Sequence, residues 1–292
     1  MWAALRFRLV PAIKLYLLGF KVLLEQLLNK RLKLPVMPRQ DGKVAIVTGG
    51  SRGIGYEVVR HLARLGAHVI IGGRDEQRGL AAIKRICEED KEARAGVMLV
   101  PEGRTEDGFE QHFGVNYLGH FLLTWLLLDA LKDSGKSGHV SCVVNVSSSA
   151  HSIGEIRLND LNSCQHYSAH AAYCGSKLAQ VLFSSHLHQE MQREGFPVVS
   201  CAVDPGMVDT ALYKHLCTPL HLAQSLIARI LFRTPAEGAA TVLSATLSPA
   251  LDEDSGGGYW ANGRREMTTP PTFDPQLPLS LWEISLQLLG LQ

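Results

Sequence analysis

Beyond residue 42 the chain alternates between short unbroken apolar runs and longer stretches of helical spacing. KVAIVTGG (43–50) is an apolar run that ends in glycine, the pattern of a parallel strand buried on both faces. Val58, Val59, Leu62 and Leu65 then recur at helical spacing, which predicts a helix from Gly55 to Leu65. AHVIIGG (67–73) reads as a second buried strand and Asp75–Glu89 as a second helix. Farther on, the pattern predicts helices over Thr105–Leu131, His170–Glu194 and Pro235–Leu247. It predicts strands over 140–148 and 198–206 and a last edge strand at GGYW (257–260). Strands alternating with helices predict an α/β fold, a doubly wound parallel sheet in a single domain spanning residues 42–265.

The first 36 residues follow a different pattern. Leu15, Leu18, Phe20, Leu23, Leu24, Leu27 and Leu28 crowd a helix, but Lys14 and Lys21 interrupt it, so no apolar run of about 20 residues forms. Lys14, Lys21 and Glu25 fall on one helical face, and Lys30, Arg31 and Lys33 follow. This predicts a helix lying in a membrane interface, or a weak anchor with basic flanks. A cleaved signal peptide, and with it secretion, is the alternative, although no A-x-A site follows. A surface helix packed on the domain fits less well with so much leucine. Residues 266–292 read as a C-terminal tail.

Composition narrows the chemistry. The 292 residues are 46% hydrophobic and 20% charged, with a net charge of +1 and no basic run, which excludes a nucleic-acid partner. Six cysteines lie far apart with no CxxC or Cys/His pairing, so they read as reduced thiols, and no metal site is expected.

Two motifs carry the chemistry. VTGGSRGIG (47–55) sets Gly49, Gly53 and Gly55 between a strand and a helix, where glycines let a backbone approach a pyrophosphate on the helix N-terminus. Ser51, Arg52 and Ile54 belong to the same turn. AYCGSK (172–177) puts Tyr173 and Lys177 four apart on one helix face. A nearby ammonium favours the phenolate and brings proton exchange by the tyrosine nearer neutral pH.

TGGSRGIG, VNYLGHF, VNVSS, YCGSK and DPGMVDT follow one another in this order. Together they resemble the short-chain dehydrogenase/reductase family over roughly residues 42–262, and GVNYLGHFLLTWLLLDAL, VNVSSSAHSIGEI and RTPAEGAATVLSATLSP resemble its retinol-dehydrogenase-like branch. The resemblance implies a Rossmann-type domain that binds NAD(P) and moves hydride to or from an alcohol carbon. It implies a lipophilic substrate, polyprenol- or dolichal-like or retinoid-like, and a membrane-associated enzyme of the endoplasmic reticulum. By the same resemblance Tyr173 is the general acid/base, Lys177 lowers its pKa and holds the nicotinamide ribose, and Ser148 hydrogen-bonds the substrate oxygen, with Ser147 and Ser149 as fallbacks. Asn116 would hold a water that relays protons to Lys177, and Pro205, Gly206, Val208 and Thr210 would line the nicotinamide side. Cys174 has no expected role. The leucine-rich, acid-free stretch 211–232 lies where the family places a substrate lid, although an ordinary core helix pair fits nearly as well.

Cofactor choice rests on the end of the second strand, where an acidic residue binds a ribose hydroxyl and arginine accepts a 2′-phosphate. Arg74 there and Arg52 in the glycine turn favour NADP(H), and Asp75 keeps NAD(H) open.

ARAGVMLVP (93–101) raises a difficulty. A doubly wound sheet needs a strand, helix and strand after the second helix, a unit of about 30 residues. Only fourteen residues separate Asp90 from Thr105. The family's Asn-Asn-Ala-Gly strand end is represented by Ala95-Gly96 alone, preceded by Ala93 and Arg94. One strand–helix–strand segment is therefore expected to be missing between about residues 90 and 95, with Val97–Val100 drawn in beside strand 44–48. A catalytically impaired shortened form is the competing functional reading.

Overall fold

The computed structural model describes residues 2–29, 32, 34, 36–73, 76–88, 104–135, 140–209, 231–247, 256–268 and 274–291. Ala93–Pro101, Arg74, Asp75, Thr210 and nearly all of the expected lid fall outside the described residues.

Strand β1 (Val44–Thr48) leads through the glycine turn into α2 (Gly53–Arg64), which follows the N-terminal helix α1 (Trp2–Leu28). Strand β2 (His68–Gly72) returns parallel to β1, with Val44 opposite His68 and Thr48 opposite Gly72, and α3 (Glu76–Glu88) follows. Helix α4 (Gln111–Phe113), a π turn (Gly114–Leu118) and α5 (Gly119–Gly135) run on from one another. Then come β3 (Ser141–Val146), a 3₁₀ turn (Ser149–Ile153), α6 (Ala169–Glu194), β4 (Val198–Asp204) and α7 (Pro235–Leu247). A hairpin of β5 (Tyr259–Ala261) and β6 (Arg264–Glu266) and a last helix, α8 (Gln276–Leu288), complete the order.

Three local features depart from the expected pattern. The helix expected from Thr105 starts at Gln111, because the Glu110 side chain accepts from the backbone of His112 and Phe113 and caps it there. The edge strand near residue 260 is half of a hairpin turned at Asn262–Gly263, both with positive φ. The stretch expected as a tail contributes α8, whose Leu281 and Trp282 join Phe121, Leu182 and Phe183 of the largest core cluster. Its Ser285 hydroxyl meets the buried Tyr117 hydroxyl at 2.8 Å.

The parallel strands and covering helices of the expected fold class are present, but the sheet is divided. β1 pairs with β2, and β3, β4, β5 and β6 form a second sheet in that order. Among the described residues no strand joins β1 to β3. What holds the halves together is α2 packed on α7. Val58 and Leu62 share a buried cluster with Ala239, Val242 and Leu243, and with Val203 of β4 and Trp260 of β5.

Ala45, Val47 and Val69 pack against that cluster from one face of the β1–β2 sheet. On the other face Val44 is 64% exposed, Ile46 46% and Ile70 45%. Parallel sheets are normally covered on both faces. Among the described residues no helix lies over this apolar face, which is how the expected loss of a strand–helix–strand segment would leave it.

Helix α1 packs along the body on the 3₁₀ turn and α6. Ala12, Leu15, Leu18, Val22 and Gln26, spaced three and four apart, form its half-buried stripe with Leu23 beside them, and Leu9, Ile13, Leu17, Phe20, Leu24 and Leu27 are exposed. Lys14, Lys21 and Glu25 lie among the exposed residues, with Lys21 and Glu25 paired at 3.7 Å. Among the described residues no helix is long and apolar enough to cross a membrane. The packed surface helix, the least favoured reading of the sequence, describes how α1 meets the body.

The bare face yields a stability test. Ile46→Thr should change unfolding free energy by no more than about 0.5 kcal/mol, as an exposed substitution does. Leu62→Ala, in the α2–α7 cluster, should cost about 2–5 kcal/mol. Inserting a strand–helix–strand unit of roughly 30–40 residues before Ala95 should raise the melting temperature and make Ile46→Thr destabilising, because the face is then covered. Denaturant titration and thermal melting of the five chains (the parent, the two single variants, the insert, and the insert with Ile46→Thr) measure this. Equal melting temperatures with and without the insert would refute the missing-segment reading.

Candidate active site

The site is assembled at the C-terminal ends of the parallel strands, where open α/β sheets bind ligands. The β1 end supplies the glycine turn. Gly49 and Gly53 have φ of 66° and 56°, and a Cβ on Gly55 would stand 2.6 Å from the Gly49 carbonyl oxygen. The α2 N-terminus that follows has no side-chain cap and no acidic residue in its first turn. A backbone cradle with uncapped N–H groups at a helix start fits the pyrophosphate of a dinucleotide. Ser51, Arg52 and Ile54 lie in this turn, half-buried.

The ends of β3 and β4 supply the polar network. Ser148 caps the 3₁₀ turn, accepting from Ala150 N at 3.2 Å, and acts on the Tyr173 phenol in the sense that lowers its pKa. Of its neighbours, Ser147 donates to the Lys177 carbonyl at 2.8 Å, and the Ser149 backbone N–H donates to Asp204 at 2.7 Å. Asp204 also accepts from Gly206 N at 2.7 Å and from the Tyr259 hydroxyl at 3.0 Å, tying the Ser148 segment to Pro205 and Gly206. The Arg233 side chain donates to the Pro205 carbonyl at 3.1 Å, its backbone N–H donates to Met207 O at 2.9 Å, and Val208 is bridged to it in parallel.

Helix α6 carries the rest on one face. The Lys177 ammonium lies 5.9 Å from the centroid of the Tyr173 ring and donates to Val146 O at 2.9 Å and to the Gln180 side-chain oxygen at 3.2 Å. Gln180 in turn donates to the Asn116 carbonyl at 2.7 Å, and the Asn116 amide donates to Ser176 Oγ at 3.1 Å. Asn116 sits in the π turn, an irregularity common at functional sites. The structure thus brings Asn116, Ser148, Tyr173 and Lys177 together, and Gly206 and Val208 beside them. A Cβ on Gly238 of α7 would lie 2.7 Å from Val208 and 3.2 Å from Ile54, so the glycine turn and the Pro205–Val208 loop converge on that helix.

Burial sets the electrostatics. It pushes the Tyr173 phenol above its ordinary value, opposed by the Ser148 hydrogen bond. This is opposite to the direction expected from Lys177 alone, because desolvation dominates around a side chain that is only 5% exposed. Lys177 is lowered to about 8 by desolvation, with Asp204 opposing. Cys174 is pushed up to about 12 by burial, which leaves it an inert thiol.

Gln180 and Asp204 were not among the residues singled out from the sequence. Gln180 lies seven residues after Tyr173 and three after Lys177, so helical spacing alone places it on their face. Asp204 sits inside DPGMVDT but had no partner legible in the sequence.

Comparison with known proteins bears on the family and the fold. A polyprenol dehydrogenase of Danio rerio is 49% identical over 314 aligned positions, covering 96% of this chain and 97% of that protein. That alignment is longer than the 292-residue chain, so the relative has residues that this chain lacks. Retinol dehydrogenase 12 of Homo sapiens is 38% identical, covering 86% of this chain and 87% of its own length. The crystal structure of an uncharacterized protein from Mycobacterium paratuberculosis superposes with a TM-score of 0.66 at 30% identity, covering 87% of this chain and 96% of that one. A family model, short chain dehydrogenase, matches in two pieces, residues 43–102 and 93–219, which overlap at 93–102. The chain belongs to the short chain dehydrogenase family, whose members are nicotinamide-dependent oxidoreductases.

Proposed function

We propose that the chain interconverts a lipophilic alcohol and its aldehyde or ketone, preferring NADP(H), with α1 against a membrane surface. The substrate class rests on similarity to polyprenol and retinol dehydrogenases. The observation that carries the chemistry is the Lys177 ammonium 5.9 Å from the buried Tyr173 ring on one face of α6, held at the end of β3 next to Ser147 and Ser148. The cofactor, when bound, accepts or supplies the hydride. Gly49, Gly53 and Gly55 would cradle its pyrophosphate, Arg52 and Arg74 would pair with the 2′-phosphate, and Pro205, Gly206, Val208 and Thr210 would flank its nicotinamide.

Tyr173 passes its proton to the substrate oxygen in reduction and takes it back in oxidation, and Ser148 orients that oxygen. Lys177 stabilises the developing phenolate, since a cation nearby favours the charged form of the phenol. Gln180 holds the ammonium by accepting from it and is itself held by the Asn116 carbonyl. The bare sheet face favours one second reading, a shortened form that associates with membranes but turns over poorly. NADPH fluorescence enhancement or a thermal shift with cofactor separates the two: binding supports the enzyme, and silence with both NADPH and NADH supports the impaired form.

In a chain with the missing unit restored, Tyr173→Phe should lower turnover about 10²–10⁴-fold and leave NADPH binding nearly intact. Turnover at the parent rate would remove Tyr173 from the mechanism. Arg74→Asp should move the NADPH-to-NADH preference toward NADH, and an unchanged ratio of kcat/KM values would transfer the phosphate contact to Arg52. The depressed lysine gives a pH signature. Between about 8 and the ordinary 10.5 the unfolded chain holds a proton on Lys177 that the folded chain has released, so stability from this group rises with pH across that window. Lys177→Met removes that rise. The melting temperature of the variant minus that of the parent should therefore shrink from pH 8 to pH 10.5, and a constant difference would show that the lysine is not desolvated.

A further inference from the structure

Helix α1 touches the site at two places. Near its middle, Leu15 packs with Ile153 against Ala150, Tyr173 and Cys174, and the Tyr16 ring lies 5.9 Å from that of His170 on the first turn of α6. Near its end, the Gln26 side-chain oxygen accepts from Met207 N at 2.6 Å, and its amide group reaches Met207 O at 3.4 Å. Met207 lies between Gly206 and Val208, in the loop assigned to the nicotinamide side.

A carboxamide offers an acceptor and a donor, so it can meet both polar groups of a single residue. The Met207 carbonyl already accepts from the Arg233 backbone, and Gln26 adds the acceptor for the Met207 N–H on the other side. The approach is close: a Cβ on Gly206, whose φ is +82°, would stand 2.5 Å from the Gln26 oxygen and 2.9 Å from Arg233 Nη1. The loop is therefore pinched between Gln26 near the start of the chain and Arg233 just before α7. Gly206 is the residue that permits both contacts.

We infer that Gln26 is a positioning residue, through which α1 fixes the Pro205–Val208 loop for the nicotinamide cofactor. This rests on the function proposed above. Helix α1 then acts as a wall of the site as well as a membrane-facing surface. Its Gln26 lies on the half-buried stripe and Leu24 and Leu27 on the exposed one, so a shift of the helix relative to the body moves Met207 with it.

The test uses the full chain, with NADPH fluorescence titration and, with a polyprenol or retinol as substrate, the KM values for cofactor and alcohol. Gln26→Leu takes this acceptor from Met207 N and should weaken NADPH binding about three- to tenfold, the worth of one hydrogen bond, raising the cofactor KM and leaving the alcohol KM alone. Gln26→Glu keeps the acceptor and should bind NADPH within about twofold of the parent. The glutamate variant guards against misfolding as the explanation, since it changes the same half-buried position and loses the same 3.4 Å donation to the Met207 carbonyl while keeping the acceptor for Met207 N. Parent-like affinity in Gln26→Leu, or equal loss in both variants, would overturn the inference while leaving the proposed function standing. A parent chain that binds neither NADPH nor NADH would overturn both.

Discussion

The packing of α2 on α7 is the contact on which the rest of this structure depends. A doubly wound domain ordinarily joins its cofactor half to its catalytic half through backbone hydrogen bonds across the middle of the sheet. Among the described residues those ladders stop at β1 on one side and β3 on the other. Val58 and Leu62 against Ala239, Val242 and Leu243 take over most of the task by burial, with the Thr48 hydroxyl and the His120 ring, 3.3 Å apart, as a polar link between β1 and α5. Gly238 shows how close the two halves come, since both Ile54 of the glycine turn and Val208 of the opposite loop would meet its Cβ. A directionless apolar contact thereby sets the distance over which a dinucleotide must reach.

Within the catalytic half, position comes from directed bonds. Helix α6 presents Tyr173, Ser176, Lys177 and Gln180 at spacings of three and four, one face of a helix. Three are bonded to something rigid, Ser176 to Asn116, Lys177 to the end of β3 and Gln180 to the π turn, while Tyr173 is buried among Ala150, Cys174, Leu15 and Ile153. Asp204 joins the ends of β3 and β4 by accepting from Ser149, Gly206 and Tyr259 together. Burial keeps the phenol neutral and makes the ammonium easier to discharge, so two groups of similar proton affinity in water are driven apart.

What the sequence made legible was what short-range spacing encodes. Periodicity placed α2, β2, α6, β4 and α7 within a few residues, and the glycine turn and the Tyr173–Lys177 pair appeared where strand–turn–helix logic puts them. Counting raised the expectation of a missing segment, since fourteen residues cannot hold a crossover unit, but that stretch lies outside the described residues. Long-range partners were not legible. Nothing local marks Gln26 as the acceptor for Met207, 181 residues away, or α8 as the lid over Tyr117 and Phe121. Glu110 was readable in principle, because an acidic residue at that position competes with helix continuation by capping, but apolar periodicity drew the helix through it. The leucines of α1 spoke for a lipid surface, yet several of them face protein, a distinction that hydropathy does not make.

A sheet interrupted at its centre also changes how the molecule comes apart. Hydrogen-bonded ladders make neighbouring strands unfold together, whereas an interface of side chains lets them separate with their own ladders intact. β1, α2 and β2 form a contiguous unit attached to the remainder chiefly through side chains, the α2 face and one face of the β1–β2 sheet, which makes them a natural subunit of opening. Its amide protons report the strength of the α2–α7 contact, and those of β4 report the whole domain. A single melting temperature then averages two events, and a ligand that spans both halves restores their cooperativity.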